Sequence, residues 1–336
     1  MTDYRTLIDS DIWAFIDRTG TFYPPDITDY SIERRREVYN HMCRAFSNGY
    51  PEGVSAENKI IALRDRKIAV RRYRAMRYDR HALVIYYHGG GFVTGGLESH
   101  DDICAEICYR TGFEVFAVDY RLAPEHSHPA PFEDALAAYR WVAEGYDIPI
   151  ILAGDSAGGN LAAAVAHATR KSADKPIGQM LIYPLLGGEM AGGSFVKHAH
   201  APMLTLRDLH FYRDIRTGGR DASKDASFAP LSDSDFSGLP PTVIITAEYD
   251  PLSSDGEAYR DRILDAGGKA WWHEEAGLVH GYLRARHIAA RARESFTRIV
   301  DAVRMLGRKE WSYPIHRPVL AQNRPDLARL AVHPID

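Results

Sequence analysis

Five short segments of the chain are apolar at almost every position, and helical patterns separate them. The segments are ALVIYY, FEVFAVD, IPIILAG, MLIYP and PTVIITA, at residues 82–87, 113–119, 148–154, 180–184 and 241–247. Strands that are apolar on both faces are typical of a parallel sheet covered by helices on both sides. Helical spacing of apolar residues recurs at about 99–111, 132–144, 158–171, 254–266 and 284–306. This alternation predicts an α/β fold with a doubly wound, mostly parallel sheet.

The two ends of the chain and one internal interval depart from the alternation. In residues 1–55, apolar residues recur at helical spacing around Trp13 and again around Met42, which predicts two helices before the main domain. A long interval between the fourth and fifth apolar segments carries the helix-like LTLRDLHFYRDI, and excursions of that length are usually functional insertions. We therefore predict a main domain at 56–309, an insertion at about 188–225, and a C-terminal tail at 310–336.

A run of basic residues accompanies two further strand-like segments, IIALRD and KIAVRRYRA. The run consists of Arg64, Arg66, Lys67, Arg71, Arg72, Arg74, Arg77 and Arg80. One interpretation is a binding site for a polyanion. The alternative is that charged side chains protect a pair of edge strands from pairing with other sheets. We favour the second interpretation, because charge runs are usually solvated faces.

Composition and charge narrow the class of protein. Apolar residues make up 45% of the chain and charged residues 26%, the balance of an ordinary globular protein. The formal net charge is −4 with acids and bases intermixed, so neither nucleic acid nor membrane is the expected partner. The N-terminus lacks the pattern of a secretory signal, and we expect a cytoplasmic protein. The three cysteines, Cys43, Cys104 and Cys108, are expected to be free thiols rather than a disulfide framework.

The segment ILAGDSAGGNLAAAVAHA contains the strongest candidate for a catalytic residue. It predicts a strand, then Gly154-Asp155-Ser156-Ala157-Gly158, then a helix, which is the context in which a G-x-S-x-G motif has meaning. The turn must be so tight that its flanking residues have almost no side chain. Ser156 is therefore predicted to be a nucleophile exposed at the C-terminal edge of the sheet.

A glycine-rich loop follows the first apolar segment, with the sequence His88-Gly89-Gly90-Gly91-Phe92. Acyl transfer needs N–H donors aimed at the carbonyl oxygen as it becomes an alkoxide. We predict that Gly89, Gly90 and Ala157 supply these donors as an oxyanion hole. His88 is expected to hold the loop in place and not to act as a base. A phosphate loop is a poor alternative, because the G-x-G-x-x-G and G-K-[ST] patterns are missing.

A nucleophilic serine needs a base, and the base needs a carboxylate that orients it. Asp250 follows the fifth apolar segment directly, and Glu248 is the second candidate for the acid. Among the histidines further along the chain, His280 lies in the loop GLVHGY after the last predicted strand. The order Ser156, Asp250, His280 is that of the α/β hydrolases, and we predict these three residues as the catalytic triad.

Together these motifs resemble those of the hormone-sensitive-lipase-like carboxylesterases, the bacterial family IV of the α/β-hydrolase superfamily. The chain is similar in the run YRLAPEH at 120–126, in SGLPP at 237–241, and in the Asp that precedes the nucleophile. The resemblance implies an eight-stranded sheet, a helical cap made of the N-terminal helices and the 188–225 insertion, and no cofactor. It also implies soluble acyl esters of short to medium chain length as substrates, and a possible homodimer through the last strand near KAWWHEE.

The chain departs from the family after Asp250. Ser253-Ser254-Asp255-Gly256 stands where the family usually has Arg-Asp-Glu-Gly, and we expect altered support of the catalytic loop rather than lost activity. Five apolar or aromatic residues are candidates for lining the substrate pocket, the alternative being that they pack the cap onto the core: Trp13, Phe15, Phe92, Leu204 and Tyr212.

Three other functions stay open at this point. The same triad serves amidases, lactonases and deacetylases. A second possibility is a non-catalytic ligand-binding receptor, although such proteins usually lose the serine or the histidine. A third is a metal hydrolase built on His198, His200 and His210, for which no acidic partner stands out in the sequence.

Overall fold

The computed structural model describes residues 2–314, apart from the side chain of Thr28. Within them, eight strands form one sheet. The strands are β1 (Val54–Ala62), β2 (Lys67–Ala75), β3 (Leu83–Tyr87), β4 (Glu114–Asp119), β5 (Ile150–Asp155), β6 (Gly178–Ile182), β7 (Thr242–Tyr249) and β8 (Ala270–Val279). The five apolar segments form β3 to β7, which confirms the predicted α/β fold and the eight-stranded sheet.

The strand order in the sheet is β1-β2-β4-β3-β5-β6-β7-β8. β2 pairs antiparallel with both β1 and β4, whereas all pairs from β4 to β8 are parallel. The parallel strands therefore end at one common edge, where ligand sites of open α/β sheets are found.

The prediction that IIALRD and KIAVRRYRA form a pair of edge strands is correct only for the first of them. β1 lies at the edge, but β2 lies between β1 and β4. Its arginines are neutralised by the neighbouring elements: Arg72 and Arg74 pair with Glu114 of β4, and Arg71 pairs with Glu98 and Asp101.

Helices cover both faces of the sheet. They are α1 (Ser10–Gly20), α2 (Ile32–Ala45), α3 (Asp101–Thr111), α4 (Ala130–Gly145), α5 (Ala157–Thr169), α6 (Gly193–Lys197), α7 (Leu206–Thr217), α8 (Ser253–Asp265) and α9 (Ala290–Gly307). Apolar residues of α1, α2, α3 and α9 pack in one core cluster, and those of α4, α5 and α8 in another. No helix between residues 2 and 314 is long and apolar enough to cross a bilayer.

Four helices, α1, α2, α6 and α7, lie in the two segments predicted to form a cap, and we refer to these segments as the cap. α6 and α7 form part of a third, smaller apolar cluster built from Phe195, Leu204, Leu209 and Leu252. The cluster includes Leu252 from the loop that follows Asp250. The cap insertion is therefore packed directly against the loop that carries the candidate acid.

The first residues of the tail pack on the edge strand β8. The ring of Tyr313 stacks on that of Trp271 with 4.1 Å between centroids, and Trp311 meets Tyr313 edge-on. On the opposite face, the Trp272 indole N–H donates to Thr246 Oγ1 at 2.9 Å. Both tryptophan rings thus have partners within the chain. Most of the predicted tail, residues 315–336, lies outside the described residues.

Candidate active site

Ser156 occupies the tight turn between β5 and α5 that the sequence predicts. Its backbone has φ 54° and ψ −116°, a strained conformation for a residue with a side chain. The flanking glycines are sterically required: a Cβ on Gly158 would lie 1.8 Å from the Tyr87 carbonyl oxygen, and one on Gly154 would lie 2.4 Å from the backbone of Gly158. The strain holds the Ser156 hydroxyl out of the turn, at the carboxyl edge of the sheet.

Ser156, His280 and Asp250 form a continuous chain of hydrogen bonds. His280 Nε2 lies 3.0 Å from Ser156 Oγ, and His280 Nδ1 lies 2.6 Å from Asp250 Oδ2. Asp250 is fully buried, and its Oδ1 also accepts the N–H of Leu252 at 2.9 Å. The three residues are 94 and 30 positions apart in sequence and meet because each follows the end of a parallel strand: β5, β7 and β8. The imidazole can therefore take a proton from Ser156 while Asp250 orients it.

The second candidate for the acid, Glu248, is directed elsewhere. Its carboxylate accepts the N–H of Gly277 on β8 at 2.8 Å. This contact lies at a register shift between β7 and β8, at Ala247/Tyr249. Bulges of this kind change the direction of neighbouring side chains. Here the Glu248 carboxylate turns towards Gly277, whereas the Asp250 carboxylate bonds to His280.

The loop after β3 differs in one respect from the predicted oxyanion hole. The Gly89 N–H donates to Asp155 Oδ1 at 2.9 Å, so the prediction that Gly89 is an oxyanion donor is wrong. Among residues 2–314, no protein group accepts a hydrogen bond from the N–H of Gly90, Gly91 or Ala157. Gly90 and Gly91 have positive φ values of 126° and 64°. Gly91, which the sequence analysis did not select, takes the place of Gly89 as a candidate donor.

His88 holds this loop, as the sequence analysis expects. Its ring stacks on Tyr120 with 4.3 Å between centroids, and its Nδ1 lies 2.8 Å from the Gly89 carbonyl oxygen. The Tyr120 hydroxyl in turn donates to the His88 carbonyl oxygen at 2.6 Å. Burial lowers the pKa of His88 to about 3, so the ring is neutral at physiological pH. Tyr120 opens the YRLAPEH run, which explains why this run accompanies the glycine loop.

A buried polar network supports the turn from below. Asp155 accepts the Tyr86 hydroxyl at 2.8 Å and lies 3.2 Å from His100 Nε2, and His100 is 3.5 Å from the guanidinium of Arg284. Burial acts to raise the pKa of Asp155, but the charges of His100 and Arg284 hold it well below its ordinary value. The residue before the nucleophile is therefore an anion, and its charge fixes the position of the Gly89 N–H.

Of the five residues predicted to line the pocket, one lies against the glycine loop and four do not. Phe15 is fully buried against Phe46, and Phe92 is buried under a guanidinium group, so both are packing residues and the pocket prediction is wrong for them. Leu204 belongs to the apolar cluster of the cap. Trp13 is half-buried with the Arg5 guanidinium 4.5 Å above its ring. Tyr212 is the one that lies against the glycine-rich loop, since a Cβ on Gly91 would come within 2.5 Å of its ring.

Arg216, at the end of α7, is a functional candidate that the sequence analysis missed. It is 2% exposed, and its guanidinium lies 3.5 Å from the ring centroid of Phe92 and 4.0 Å from that of Phe228. Its Nη2 donates to Asn160 Oδ1 at 3.0 Å. Phe92 adjoins the oxyanion glycines and Asn160 lies in the nucleophile helix, so this one side chain connects the cap to both.

Two further residues near His280 were also missed. The ring of Tyr183, directly after β6, lies 4.7 Å from that of His280. Met203, in the cap, brings its terminal methyl within 4.0 Å of where a Cβ on Gly281 would lie. Both residues have positive φ values, 33° and 74°. No sequence motif marks them, because their position depends on the path of the loops after β6 and within the cap.

The departure Ser253-Ser254-Asp255 gives the catalytic loop a different support. Ser254 Oγ lies 2.7 Å from Ser194 Oγ of α6, and Ser194 also donates to the Pro251 carbonyl oxygen at 2.5 Å. Asp255 is buried and accepts the N–H of Leu186 at 2.7 Å. Hydroxyl and carboxylate groups thus attach the cap to the Asp250 loop where the family usually has a charged Arg-Asp pair.

The metal alternative finds no site in the described part of the chain. Among residues 2–314, no group of three or more His, Cys, Asp or Glu residues could hold a metal ion. His198 is buried with its Nδ1 3.1 Å from the Tyr4 hydroxyl, so it has a structural partner. The three cysteines are buried free thiols, as predicted.

Comparison with known proteins identifies the family. The α/β-hydrolase fold family matches residues 84–284, which include all three residues of the Ser156–His280–Asp250 chain. The chain is 39% identical to the esterase LipI of Mycobacterium tuberculosis (strain ATCC 25618 / H37Rv) over 232 residues, 67% of this chain and 72% of that protein. It is 34% identical to the ethyl acetate hydrolase of Pseudomonas putida over 248 residues, 70% and 78% of the two chains.

A solved structure supports the same relationship. The hyperthermophilic esterase from the archaeon Pyrobaculum calidifontis superimposes with a TM-score of 0.77 at 34% identity, covering 83% of this chain and 94% of that one. The protein is therefore an α/β hydrolase. Within that class it belongs to the hormone-sensitive-lipase-like esterase family that its motifs resemble.

Proposed function

We propose that the protein is a serine carboxylesterase that hydrolyses short- to medium-chain acyl esters through an acyl-enzyme on Ser156. The observation that carries this proposal is the hydrogen-bonded chain Ser156–His280–Asp250, with 3.0 Å from Ser156 Oγ to His280 Nε2 and 2.6 Å from His280 Nδ1 to Asp250 Oδ2. Beside it are three backbone N–H groups that donate no hydrogen bond to any protein group of residues 2–314. The relatives named esterase and ethyl acetate hydrolase support the same bond type.

The reaction has two acyl-transfer steps. His280 takes the proton of Ser156 as Oγ attacks the ester carbonyl, and the N–H groups of Gly90, Gly91 and Ala157 stabilise the oxyanion that forms. His280 then protonates the departing alcohol. A water molecule, deprotonated by the same imidazole, attacks the acyl-enzyme and releases the acid. No cofactor takes part in these steps.

Two side chains beside the catalytic loops support the proposed preference for short to medium acyl groups. The Tyr212 ring lies on Gly91, and Met203 lies beside the His280 loop. Bulky side chains on both the glycine loop and the His280 loop support a preference for short acyl groups over long ones. An amidase, lactonase or deacetylase would use the same triad, and no observation favours one of them over an esterase.

Two other features stay predictions. A cytoplasmic location is expected from the sequence. A homodimer through β8 would have to pair along the strand edge, because Tyr313 covers the ring of Trp271.

The test is hydrolysis of p-nitrophenyl esters from acetyl to lauryl, with p-nitroacetanilide as the amide counterpart, by the wild type and Ser156→Ala. We expect activity on short chains that falls with length, little on the anilide, and a loss of several orders of magnitude in the variant. Hydrolysis at the wild-type rate by Ser156→Ala would refute the assignment. If neither protein hydrolyses any ester, failure of a fluorophosphonate to label Ser156 would refute it as well.

A further inference from the structure

A cavity lies at the end of the sheet opposite to the active site. It is formed by the segment between β2 and β3 and by the C-terminal ends of α3 and α9, and its volume is about 570 Å³. β3 begins beside this cavity and ends at the oxyanion loop, so the length of a five-residue strand, roughly 16 Å, separates the two sites. Cavities of this size hold small-molecule ligands.

Positive charge dominates the lining of this cavity. It contains five arginines and a single carboxylate, Asp79. The arginines are Arg77, Arg80, Arg110, Arg304 and Arg308. Because the chain as a whole has a formal net charge of −4, this concentration is opposite in sign to the rest of the molecule.

The ion pairs around the cavity leave part of this charge uncompensated. Asp79 is already bound by His81 and by Arg308, which lies 3.1 Å away. Arg110 pairs with Glu106, and Arg304 with Asp301. Among residues 2–314, neither Arg77 nor Arg80 has a carboxylate within ion-pair distance. Arg66, Arg71, Arg72 and Arg74 of the same basic run each have one.

The helix ends that border the cavity do not cancel this charge. The C-terminus of a helix carries partial negative charge, which opposes anion binding. Here, however, Arg304 Nη2 donates to the carbonyl oxygen of Arg110 at 2.7 Å, and the Asp79 N–H donates to that of Gly112 at 2.8 Å. Carbonyl groups at the end of α3 are therefore already satisfied, and the free guanidinium groups remain available to a ligand.

We infer that this cavity binds a small metabolite that carries two or more phosphate groups. Guanidinium groups form paired hydrogen bonds with phosphate oxygens, which accept and do not donate. Because five arginines and one carboxylate line the cavity, several phosphate groups match its charge better than one does. The rings of Tyr78 and Tyr109 also line the cavity and offer flat apolar surfaces beside the arginines. A nucleoside di- or triphosphate has both chemical features.

The test is isothermal titration calorimetry of the full chain with sodium pyrophosphate and with ATP, at low and physiological ionic strength. The variant is Arg77→Ser/Arg80→Ser. Its control is Arg44→Ser/Arg64→Ser, which removes the same charge from exposed positions outside the cavity. We expect saturable binding of one ligand per chain, weakened at least tenfold in the cavity variant and unchanged in the control.

Two outcomes would overturn the inference. One is that neither pyrophosphate nor ATP binds saturably at low ionic strength. The other is equal weakening in the cavity variant and the control, which would indicate attraction to net charge alone. Tighter binding of ATP than of pyrophosphate would support a role of the tyrosines, whereas equal affinity would support recognition of phosphate alone. Ester hydrolysis is measured on the same samples to show that both variants are folded, and its result does not depend on this cavity.

Discussion

The sheet side and the cap side of the active site are held in place by different interactions. On the sheet side, Ser156, Asp250 and His280 each follow a strand of one parallel sheet, so backbone hydrogen bonds set the distances between them. On the cap side, α6 and α7 are attached by a small apolar cluster and a few polar side chains, chiefly Arg216 and the pair Ser194–Ser254. The parallel sheet therefore sets the catalytic geometry, and changes in the cap are expected to disturb the triad less than changes in the sheet.

This difference predicts that substitutions on the sheet side affect catalysis far more than substitutions on the cap side. It also explains why the reaction type follows from the fold while substrate choice does not. Two side chains that lie beside the catalytic loops, Tyr212 and Met203, both belong to the cap.

Among the substitutions that compare the two sides of the site, the largest effect is expected for Asp250→Asn. An amide in this position favours the wrong tautomer of His280, and kcat for a p-nitrophenyl ester should fall by about 10⁴. Glu248→Gln is the matched control, because the Glu248 carboxylate lies two residues away and accepts the Gly277 N–H. A variant Asp250→Asn with kcat close to that of the control would show that another residue orients the imidazole.

An intermediate effect is expected for Arg216→Met, on the cap side. The substitution removes the charge that lies between Phe92 and Phe228 and leaves Asn160 Oδ1 without its donor. Because Phe92 adjoins the oxyanion glycines, we expect kcat to fall roughly tenfold, about 1.4 kcal/mol of transition-state stabilisation, with a smaller change in KM. Arg213→Met, one turn earlier and exposed, is the control.

The split between kcat and KM decides what Arg216 does. A rise in KM with unchanged kcat would mean that Arg216 shapes the substrate pocket and does not position the oxyanion loop. Thermal unfolding of both variants shows whether a lower kcat comes from a smaller folded fraction.

A pH-dependent effect, on stability and not on catalysis, is expected at Asp255 in the first turn of α8. Burial raises the pKa of Asp255 to about 7, against the lowering effect of the backbone N–H groups of Leu186, Gly187 and Gly188. The folded state therefore keeps this proton between about pH 4 and pH 7 while the unfolded chain loses it. The free energy of unfolding should consequently fall with rising pH in that window, by up to about 1.4 kcal/mol per pH unit from this group.

Denaturant unfolding at several pH values between 4 and 8 tests this expectation. In Asp255→Asn this contribution to the slope should vanish. In Asp265→Asn, an exposed position of the same helix, the slope should equal that of the wild type. An unchanged slope in Asp255→Asn would show that the carboxylate is already charged at pH 4.

The smallest effect is expected for Ser254→Ala. The substitution removes two hydrogen bonds between α8 and α6, those of Ser254 Oγ with the Ser194 hydroxyl at 2.7 Å and with the Ser194 N–H at 3.3 Å, while Ser194 keeps its bond to the Pro251 carbonyl oxygen. A loss of about 1 kcal/mol in the free energy of unfolding is expected, with kcat changed by less than about twofold. A large loss of kcat would make the serine pair part of the support of Asp250.

Local patterns along the chain are enough to predict the strands, the nucleophile and the order of the triad. Runs such as ALVIYY and IPIILAG predict buried strands because both faces of each strand must be apolar. Ser156 is recognisable because a strand, a turn of small residues and a helix follow each other along the chain. Asp250 and His280 are recognisable because parallel strands bring their carboxyl ends to one edge of the sheet.

How distant side chains share hydrogen bonds and space depends on the folded chain and cannot be predicted from local patterns. Nothing in HGGGF indicates that the Gly89 N–H is taken by Asp155, which lies 66 positions further along the chain. The burial of Phe92 beneath Arg216, and the place of β2 between β1 and β4, are likewise set by partners far away in sequence. A local pattern specifies the conformation of its own segment, but it does not specify which remote group will occupy the donors and surfaces that the segment presents.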